Sequence, residues 1–451
     1  MATKPPKTLV LFNYDWDRTA TQAIGHRWPH INAGFDLFSF PSNARLAWFD
    51  MDRFCSLMAW KAKLHGATGV MSNHEQFGAL CAALLAEKMG WPGTPVSAVL
   101  ACQHKLYARQ VLDEVAPEAN TPYQRLEAHY GGPVPTGLHY PVYVKPVKAA
   151  FSVLAAEVAD EANLFKHTRF SAWELWVIRH LVEPFEKVIR QRLPDAGTAH
   201  SLMLEKPVKA RQYCLDGYVF NGKLKTLGVV DAVMYPGTDA FMRFDFPSRL
   251  NTRVQERAAD IARRFLHRVG FTHGLFNMEF FHDEHTDTIT VIEFNPRMAA
   301  QFSDLYARVR GVNLHDIAFA LAHGMDPALL DHTAPTAGTA SSFVYRSFDP
   351  TMRPAMPTLQ QRHALEREFP DSLLFQFPKD ASEIARDFKW LRSYRYGIVH
   401  LGGMDPLDLK LRCEKASALL GWPAPYAGEL SERELLDPLA HTTFEMELAT
   451  G

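Results

Sequence analysis

Four polar residues stand where buried strands should be apolar. In "GLFNMEFFHDEHTDTITVIEFNPRM" (Gly274–Met298), Glu279 lies inside Leu275–Phe281, and Glu293, Asn295 and Arg297 follow the apolar run Ile289–Ile292. Residues two apart in a strand share a face, so Glu293, Asn295 and Arg297 point the same way as far as the strand persists. The polar segment "DEHTD" can turn the chain back into a hairpin. If pairing is symmetric about Thr286, Glu279 lies opposite Glu293, with Cβ atoms about 4.5–5.5 Å apart. Two carboxylates about 5 Å apart repel by roughly 3 kcal/mol at an effective dielectric near 20. A fold keeps such a pair where a cation sits between them, where they share a proton, or where the face is wet. Asn295 adds a neutral oxygen in line with the acids, and an oxygen-only set with room for phosphate oxygens suits Mg²⁺.

Two lysines and one junction form the second signal. Lys105 opens the helix-like "KLYARQVLDEVA", and Lys145 ends the strand-like "YPVYVK" before Pro146. Either could snorkel to solvent, or both could hold phosphate as flexible point charges. In "LEKPVKARQYCLDG" (Leu204–Gly217) a strand ends in Glu-Lys-Pro-Val, whose free backbone groups could read a flat base edge. The histidines supply no HExxH pair; "HDEH" (His282–His285) could ligate a metal, but it falls in the expected hairpin turn and reads as solvent-exposed. His273 and Asn277 flank the acid strand and could touch substrate, with local packing the favoured reading. Neither a GxSxG elbow nor a GxxxxGKS loop is present, so hydrolase and P-loop chemistry find no support.

The elements that must position these groups follow from pattern and punctuation. "TLVLFNY" (Thr8–Tyr14), "FDLFSF" (Phe35–Phe40) and "TGVMS" (Thr68–Ser72) are expected strands, with helices over "WFDMDRFCSLMAWKAKLHG" and "EQFGALCAALLAEKMG". This alternation predicts a parallel sheet flanked by helices. Beyond Pro141, "YPVYVKPV" and "FSVLAAEVA" predict neighbouring strands, and an amphipathic helix is expected over about residues 172–192. "LMLEKPV" predicts a further strand, and Asn221-Gly222 between alternating runs predicts a hairpin. "TRVQERAADIARRFLHRVG" reads as a charged amphipathic helix closed by Gly270, and "DLYARVRGVNLHDIAFALAHG" as a helical region. The linker "DHTAPTAGTA" precedes a C-terminal α+β segment.

The 451 residues, 47% hydrophobic and 12% aromatic, suffice for two to three domains with full cores. A net charge of −2 argues against a dedicated nucleic-acid binder. The five cysteines are scattered with no CxxC pair, which fits a reducing cytoplasm and argues against structural zinc. The first residues read as a strand rather than a signal peptide, and the apolar run Phe77–Ala86 is far shorter than a bilayer requires.

In order and together, these pieces resemble the ATP-grasp superfamily, over about residues 1–325. "EQFGALCAALLAEKMGWPGTP" followed by "KLYARQVLDEVA" is similar to the family's helix, small-residue turn and first nucleotide lysine. "YPVYVKPV" is similar to its second lysine strand, "LEKPV" to its adenine-contacting linker, and "MEF…IEFNPR" to its magnesium-binding end. The resemblance implies an α/β and α+β chain. An N-terminal Rossmann-like domain would span 1–103 and an ATP-grasp domain 104–330, with a lid at about 135–208. The α+β extension over 335–451, with "GTASSFVYRSF" and "YRYGIVHLGGMDPLDLKLRCEKASALLGW", loosely resembles that of the amino-acid ligase branch.

The same resemblance implies roles. Lys105 and Lys145 would contact the nucleotide phosphates, as would Ser152 in the phosphate loop. Glu205 would meet the adenine amino group, and Lys206 and Val208 would offer backbone to its ring edge. Gln212 stands where the family usually has a ribose-binding Glu. Glu279, Glu293 and Asn295 would hold Mg²⁺ or Mn²⁺, and Arg297 would bind the acyl phosphate or substrate carboxylate. The implied reaction is ATP-dependent joining of a small-molecule carboxylate to an amine in the cytoplasm, with no nucleic acid or membrane partner and with room for a homodimer. Three departures stand out: the phosphate loop "KPVKAAFSVLA" lacks glycine, Ala210 replaces a common Gly, and Gln212 replaces an acid. Glycine lets backbone N–H groups close on phosphate. A phosphotransferase and a non-catalytic ATP-binding protein are therefore the rival expectations.

Overall fold

The computed structural model describes residues 5–36, 42–126, 135, 137–148 and 154–425. Its first layer is a parallel sheet in the order β2-β1-β3, made of β1 (Lys7–Leu11), β2 (His30–Ala33) and β3 (Ala67–Met71). Leu9, Val10 and Leu11 are wholly buried, as parallel strands covered on both faces require. Around them lie α1 (Asp15–Ala23), α2 (Met51–His65) and α3 (Gly78–Met89). Asp50 caps α2 by accepting from the Arg53 amide, and Gly66 closes it at φ 67°.

Two expectations shift here. The second strand is His30–Ala33 rather than Phe35–Phe40: Phe35 and Asp36 are not strand, and residues 37–41 lie outside the described residues. Gly34 breaks the strand at φ 110°, where an added Cβ would meet Phe12 at 2.9 Å. The helix expected from Glu75 begins at Gly78, because residues 75–77 form a turn. That turn leaves Glu75 outside the helix.

Next come α4 (Val96–Gln103) and α5 (Lys105–Val115), divided at His104, whose side chain caps α5 by accepting from the Tyr107 amide at 3.1 Å. A small antiparallel sheet follows in the order β4-β7-β5-β6, from β4 (Tyr123–Leu126), β5 (Val142–Pro146), β6 (Ala156–Val158) and β7 (Leu202–Glu205). The first residues of the expected strand "FSVLAAEVA", Ser152 among them, lie outside the described residues. Between β6 and β7 run α6 (Glu161–His167) and α7 (Ala172–Arg192). α7 spans the expected residues because Ser171 and Glu174 form a reciprocal cap at its start. Its Val182, Phe185, Val188 and Ile189 share a core with Leu80, Leu85 and Leu100.

The third sheet begins with β8 (Arg211–Phe220) and β9 (Lys223–Met234), joined through Asn221 at φ 50° and Gly222 at φ 79°, the tight turn that the Asn-Gly pair predicts. After β10 (Phe241–Phe246) and α8 (Thr252–Arg268) come β11 (Gly274–Asp283) and β12 (Thr288–Asn295). The order β12-β11-β8-β9 puts β12 at the edge. Glu279 does pair with Glu293, but the register shifts immediately after, so Phe280 faces Val291 and Ile292 is the extra residue of a bulge. The hairpin is thus not symmetric about Thr286 throughout. His282 also departs from expectation: it belongs to β11, is buried, and its Nε2 contacts Asp287 at 3.0 Å across the turn.

Met1–Gly228, Thr252–Gln301 and Asn313–Asp331 group as one compact unit, and Val229–Asn251, Phe302–Val312 and His332–Gly451 as a second. Hence β10 and α9 (Ser303–Arg310), expected within 104–330, group with the second unit, while α10 (Leu314–Ala322) stays in the first. In the second unit the strand order is β9-β10-β13-β15-β14, with β13 (Thr339–Ser347), β14 (Leu373–Gln376) and β15 (Tyr394–Gly403). Its core sets Phe343, Tyr345, Tyr396 and Trp422 against α11 (Leu359–Glu368), α12 (Ala381–Leu391) and α13 (Pro406–Leu420) through Leu365, Ile384 and Leu409. Among the described residues no helix is long and apolar enough to cross a membrane.

Candidate active site

The two opposed acids lie in a polar cluster of the first unit. Lys105, the first residue of α5, places its Nζ 3.0 Å from Glu293 Oε2. Gln212 of β8 donates from Nε2 to Glu279 Oε2 at 2.9 Å. Asn295 reaches both acids with its Nδ2, at 3.3 Å from Glu279 Oε1 and 3.5 Å from Glu293 Oε1. The two carboxyl groups are driven apart in acidity. Burial, then the charge of Glu293, pushes Glu279 up to about 8. Burial also acts on Glu293, but Lys105 outweighs it and holds that carboxyl below its ordinary range. Without a metal, the pair therefore carries one negative charge near neutrality.

This donor set suits a hard divalent cation. Two carboxylates and the Asn295 amide offer only oxygen once that amide turns its Oδ1 inward, and a cation there would take over the charge compensation of Glu293 that Lys105 now supplies. Among the described residues no group of three or more His, Cys, Asp or Glu side chains could hold a metal, so a metal here depends on the amide as third donor.

The raised pKa of Glu279 has a measurable consequence. A carboxyl whose folded pKa exceeds its unfolded value stabilises the fold fully below the unfolded value and loses that contribution as pH rises through the folded one. Metal-free protein should therefore lose stability between about pH 4.5 and about pH 8 more steeply than Glu279→Gln, which cannot ionise there. Millimolar Mg²⁺ should raise the wild-type melting midpoint more at pH 8 than at pH 6. Identical pH profiles for the two proteins would refute the assignment.

At the other end of the cluster Glu205, the last residue of β7, binds two cations on one oxygen. Arg109 Nε lies 2.7 Å and Lys145 Nζ 2.8 Å from Oε1. Although burial raises it, these partners hold Glu205 down at about 2. Burial lowers Lys145 to about 8 against the pull of Glu205. Arg109 does more than pair: Nη1 donates to the Val291 carbonyl at 2.6 Å and Nη2 to that of Ile292 at 3.3 Å. These are the carbonyls beside the bulge in the edge strand. α5 is fixed in turn by the Lys105 amide, which donates to the Val147 carbonyl at 3.1 Å, and by the apolar contact of Leu106, Val147 and Met203. Beyond β7 the Lys206 amide donates to the Pro122 carbonyl at 3.0 Å, and Val208 is half-buried in the same linker.

Arg297 follows β12 and finds an acid from the first layer. Its Nη2 lies 2.8 Å from Glu75 Oε2, with both side chains largely buried. Burial alone would lower Arg297; Glu75 and Tyr14 outweigh it and keep the guanidinium firmly charged. The Tyr14 ring stacks on His74 at 5.0 Å beside this pair. Asn277 is not aimed at the two acids: it donates to Asp216 at 3.1 Å and accepts from Asn295 at 3.3 Å. His273 contacts the Leu321 carbonyl through Nε2 at 2.8 Å.

The structure thus brings Lys105, Gln212, Glu279, Glu293 and Asn295 into one contact network and pairs Lys145 with Glu205. Sequence reading missed Glu75, Arg109 and Lys148. Glu75 lay hidden in an expected helix, and Arg109 in the helix-like "KLYARQVLDEVA", of which only Lys105 was singled out. Lys148 had a signal, since a lysine three residues after Lys145 enters the loop where glycine is absent.

A family model described as an ATP-grasp domain matches residues 138–304. Among solved structures, an L-amino acid ligase from Bacillus licheniformis superposes at a TM-score of 0.67, with 13% identity over 92% of this chain and 98% of that one. A biotin carboxylase from Campylobacter jejuni gives 0.60, with 13% identity over 92% and 91%. An N5-carboxyaminoimidazole ribonucleotide synthetase from Thermus thermophilus gives 0.59, with 14% identity over 92% and 99%. At these identities the likeness is one of fold. No curated protein matches the sequence.

Proposed function

Since this chain has the ATP-grasp fold and carries an ATP-grasp domain over residues 138–304, we propose that it is an ATP- and Mg²⁺-dependent ligase that joins a carboxylate to an amine through an acyl phosphate. The observation that carries this reading is the opposed pair Glu279 and Glu293, with Lys105 on one acid and Arg297 at the end of the same strand. Glu279, Glu293 and Asn295 would hold Mg²⁺, which when bound would supply positive charge against the γ-phosphoryl group being transferred.

The protein's own groups divide the remaining work. Lys105 and Lys145 would hold phosphate oxygens as point charges. Both cations on Glu205 land on Oε1, so Oε2 faces the adenine amino group in this assignment. The Lys206 amide is committed to Pro122, so Lys206 would serve the base through its carbonyl and Val208 through its N–H. Gln212 donates to Glu279 and would keep its amide oxygen for a ribose hydroxyl. Ser152 would join the phosphate loop. Arg297, held by Glu75, would bind the substrate carboxylate and stabilise the anionic acyl phosphate, a two-oxygen task suited to a planar guanidinium. The incoming amine itself is the nucleophile, so no side chain needs to attack.

All five cysteines are free and buried, which favours a reducing compartment and a cytoplasmic location. The test is a screen of carboxylate and amine pairs with ATP and Mg²⁺, reading ADP and phosphate separately. A ligase releases both. ADP without phosphate would make the protein a phosphotransferase, and neither product with any pair would make it a nucleotide binder.

A further inference from the structure

Lys148 has no role in the assignment above, yet its placement is costly unless something meets it. Its side chain is 2% exposed, and its Nζ lies 3.4 Å from the Glu75 carbonyl oxygen and 5.0 Å from the centre of the Phe185 ring on α7. Among the described residues it forms no ion pair, whereas Lys105 has Glu293, Lys145 has Glu205 and Arg297 has Glu75. Burial, and after it the repulsion of Lys105 and Arg297 against the attraction of Glu75 and Glu293, brings its ammonium down to about 7. An ammonium buried here with one long carbonyl contact and a ring face is under-compensated. An anion of several charges would correct that.

The neighbouring backbone points the same way. The Val147 amide donates to the Ser201 carbonyl at 2.9 Å, and the Val147 carbonyl accepts from Lys105, so the chain just before Lys148 is fixed on both sides. Lys145 turns to Glu205, at the end assigned to the base, while Lys148 turns to Glu75, the acid that holds Arg297. Lys105 thus sits on the Glu293 carboxylate and Arg297 on that of Glu75, while Lys148 reaches the Glu75 backbone carbonyl.

We propose that Lys148 is a third phosphate-binding lysine, which meets the terminal phosphoryl group of the nucleotide and replaces with one side-chain charge the backbone donors of a glycine-bearing loop. This rests on the ATP reading given above. A preformed cation that needs its anion costs stability in the empty protein and returns it on binding, selectively for charge at the far end of the triphosphate.

The test compares wild type, Lys148→Met and Lys148→Arg for binding of AMP and of a nonhydrolysable ATP analogue with Mg²⁺, by calorimetry. Lys148→Met should bind the analogue about 30-fold more weakly, with AMP affinity within about 3-fold. Lys148→Arg should recover most of the loss. The empty Lys148→Met protein should melt no lower than wild type, because methionine fills the site without a charge. Undiminished analogue binding by Lys148→Met, or equal loss of AMP and analogue, would overturn the assignment of Lys148 alone. Failure of wild type to bind the analogue would instead remove the ATP reading.

Discussion

Replacing Glu293 by alanine should lower metal-dependent ATP turnover by about 10³-fold or more while leaving the fold standing. The kinetic part follows from two losses at once: an oxygen of the proposed Mg²⁺ site and the acid that fixes Lys105 at 3.0 Å. Charge stabilisation by a bound metal is worth several kcal/mol in the transition state, which converts at about 1.4 kcal/mol per decade to roughly this factor. The fold survives because Glu279, opposite Glu293, becomes the counter-ion of Lys105. With its repelling neighbour gone, Glu279 should titrate lower than in wild type. The measurements are ADP release at saturating ATP and Mg²⁺, and the melting midpoint of the empty protein. Turnover equal to wild type would remove the metal assignment. A collapsed midpoint would show that the acid acts in folding instead.

Replacing Arg109 by methionine should instead strike stability, by about 3–5 kcal/mol, as breaking a buried ion pair does. The guanidinium satisfies the Glu205 carboxylate and the carbonyls of Val291 and Ile292, and Nη1 also donates to Asn120 Oδ1 at 3.1 Å. Methionine fills the space but takes the guanidinium's donors away from the Val291 and Ile292 carbonyls. Glu205 keeps Lys145, so its carboxyl should rise from about 2 towards the ordinary range. Urea unfolding of the variant checks the loss, and a double-mutant cycle with Glu205→Gln separates the ion pair from the carbonyl bonds. If the cycle shows no coupling and stability is unchanged, the idea that α5 pins the edge strand fails. A change confined to turnover would fail it equally.

Much of the fold was legible because its signals are local. Asn221-Gly222 names its own turn, Ser171 and Glu174 begin α7, and Gly66, Gly90 and Gly270 end helices at positive φ. The opposition of Glu279 and Glu293 was legible too, because the hairpin turn is short and side chains alternate strictly along a strand. The bulge at Ile292 was not, since its carbonyls are satisfied by Arg109, 182 residues earlier for Val291. The break at Gly34 was equally hidden, because it depends on the close approach of Phe12.

The sequence alone therefore determined the types of groups available: two acids and an amide on one hairpin, lysines at the start of a helix and the end of a strand, and a loop without glycine. Their pairing was settled by tertiary structure. Glu75 joins Arg297 from 222 residues away, Arg109 joins Glu205 from 96, and Lys148 comes to rest against Glu75 and Phe185. The physical reason is that hydrogen bonding and backbone geometry act over a few residues, so a short segment encodes them. Charge compensation in a buried pocket depends on which distant segments share it, and only the packed chain decides that.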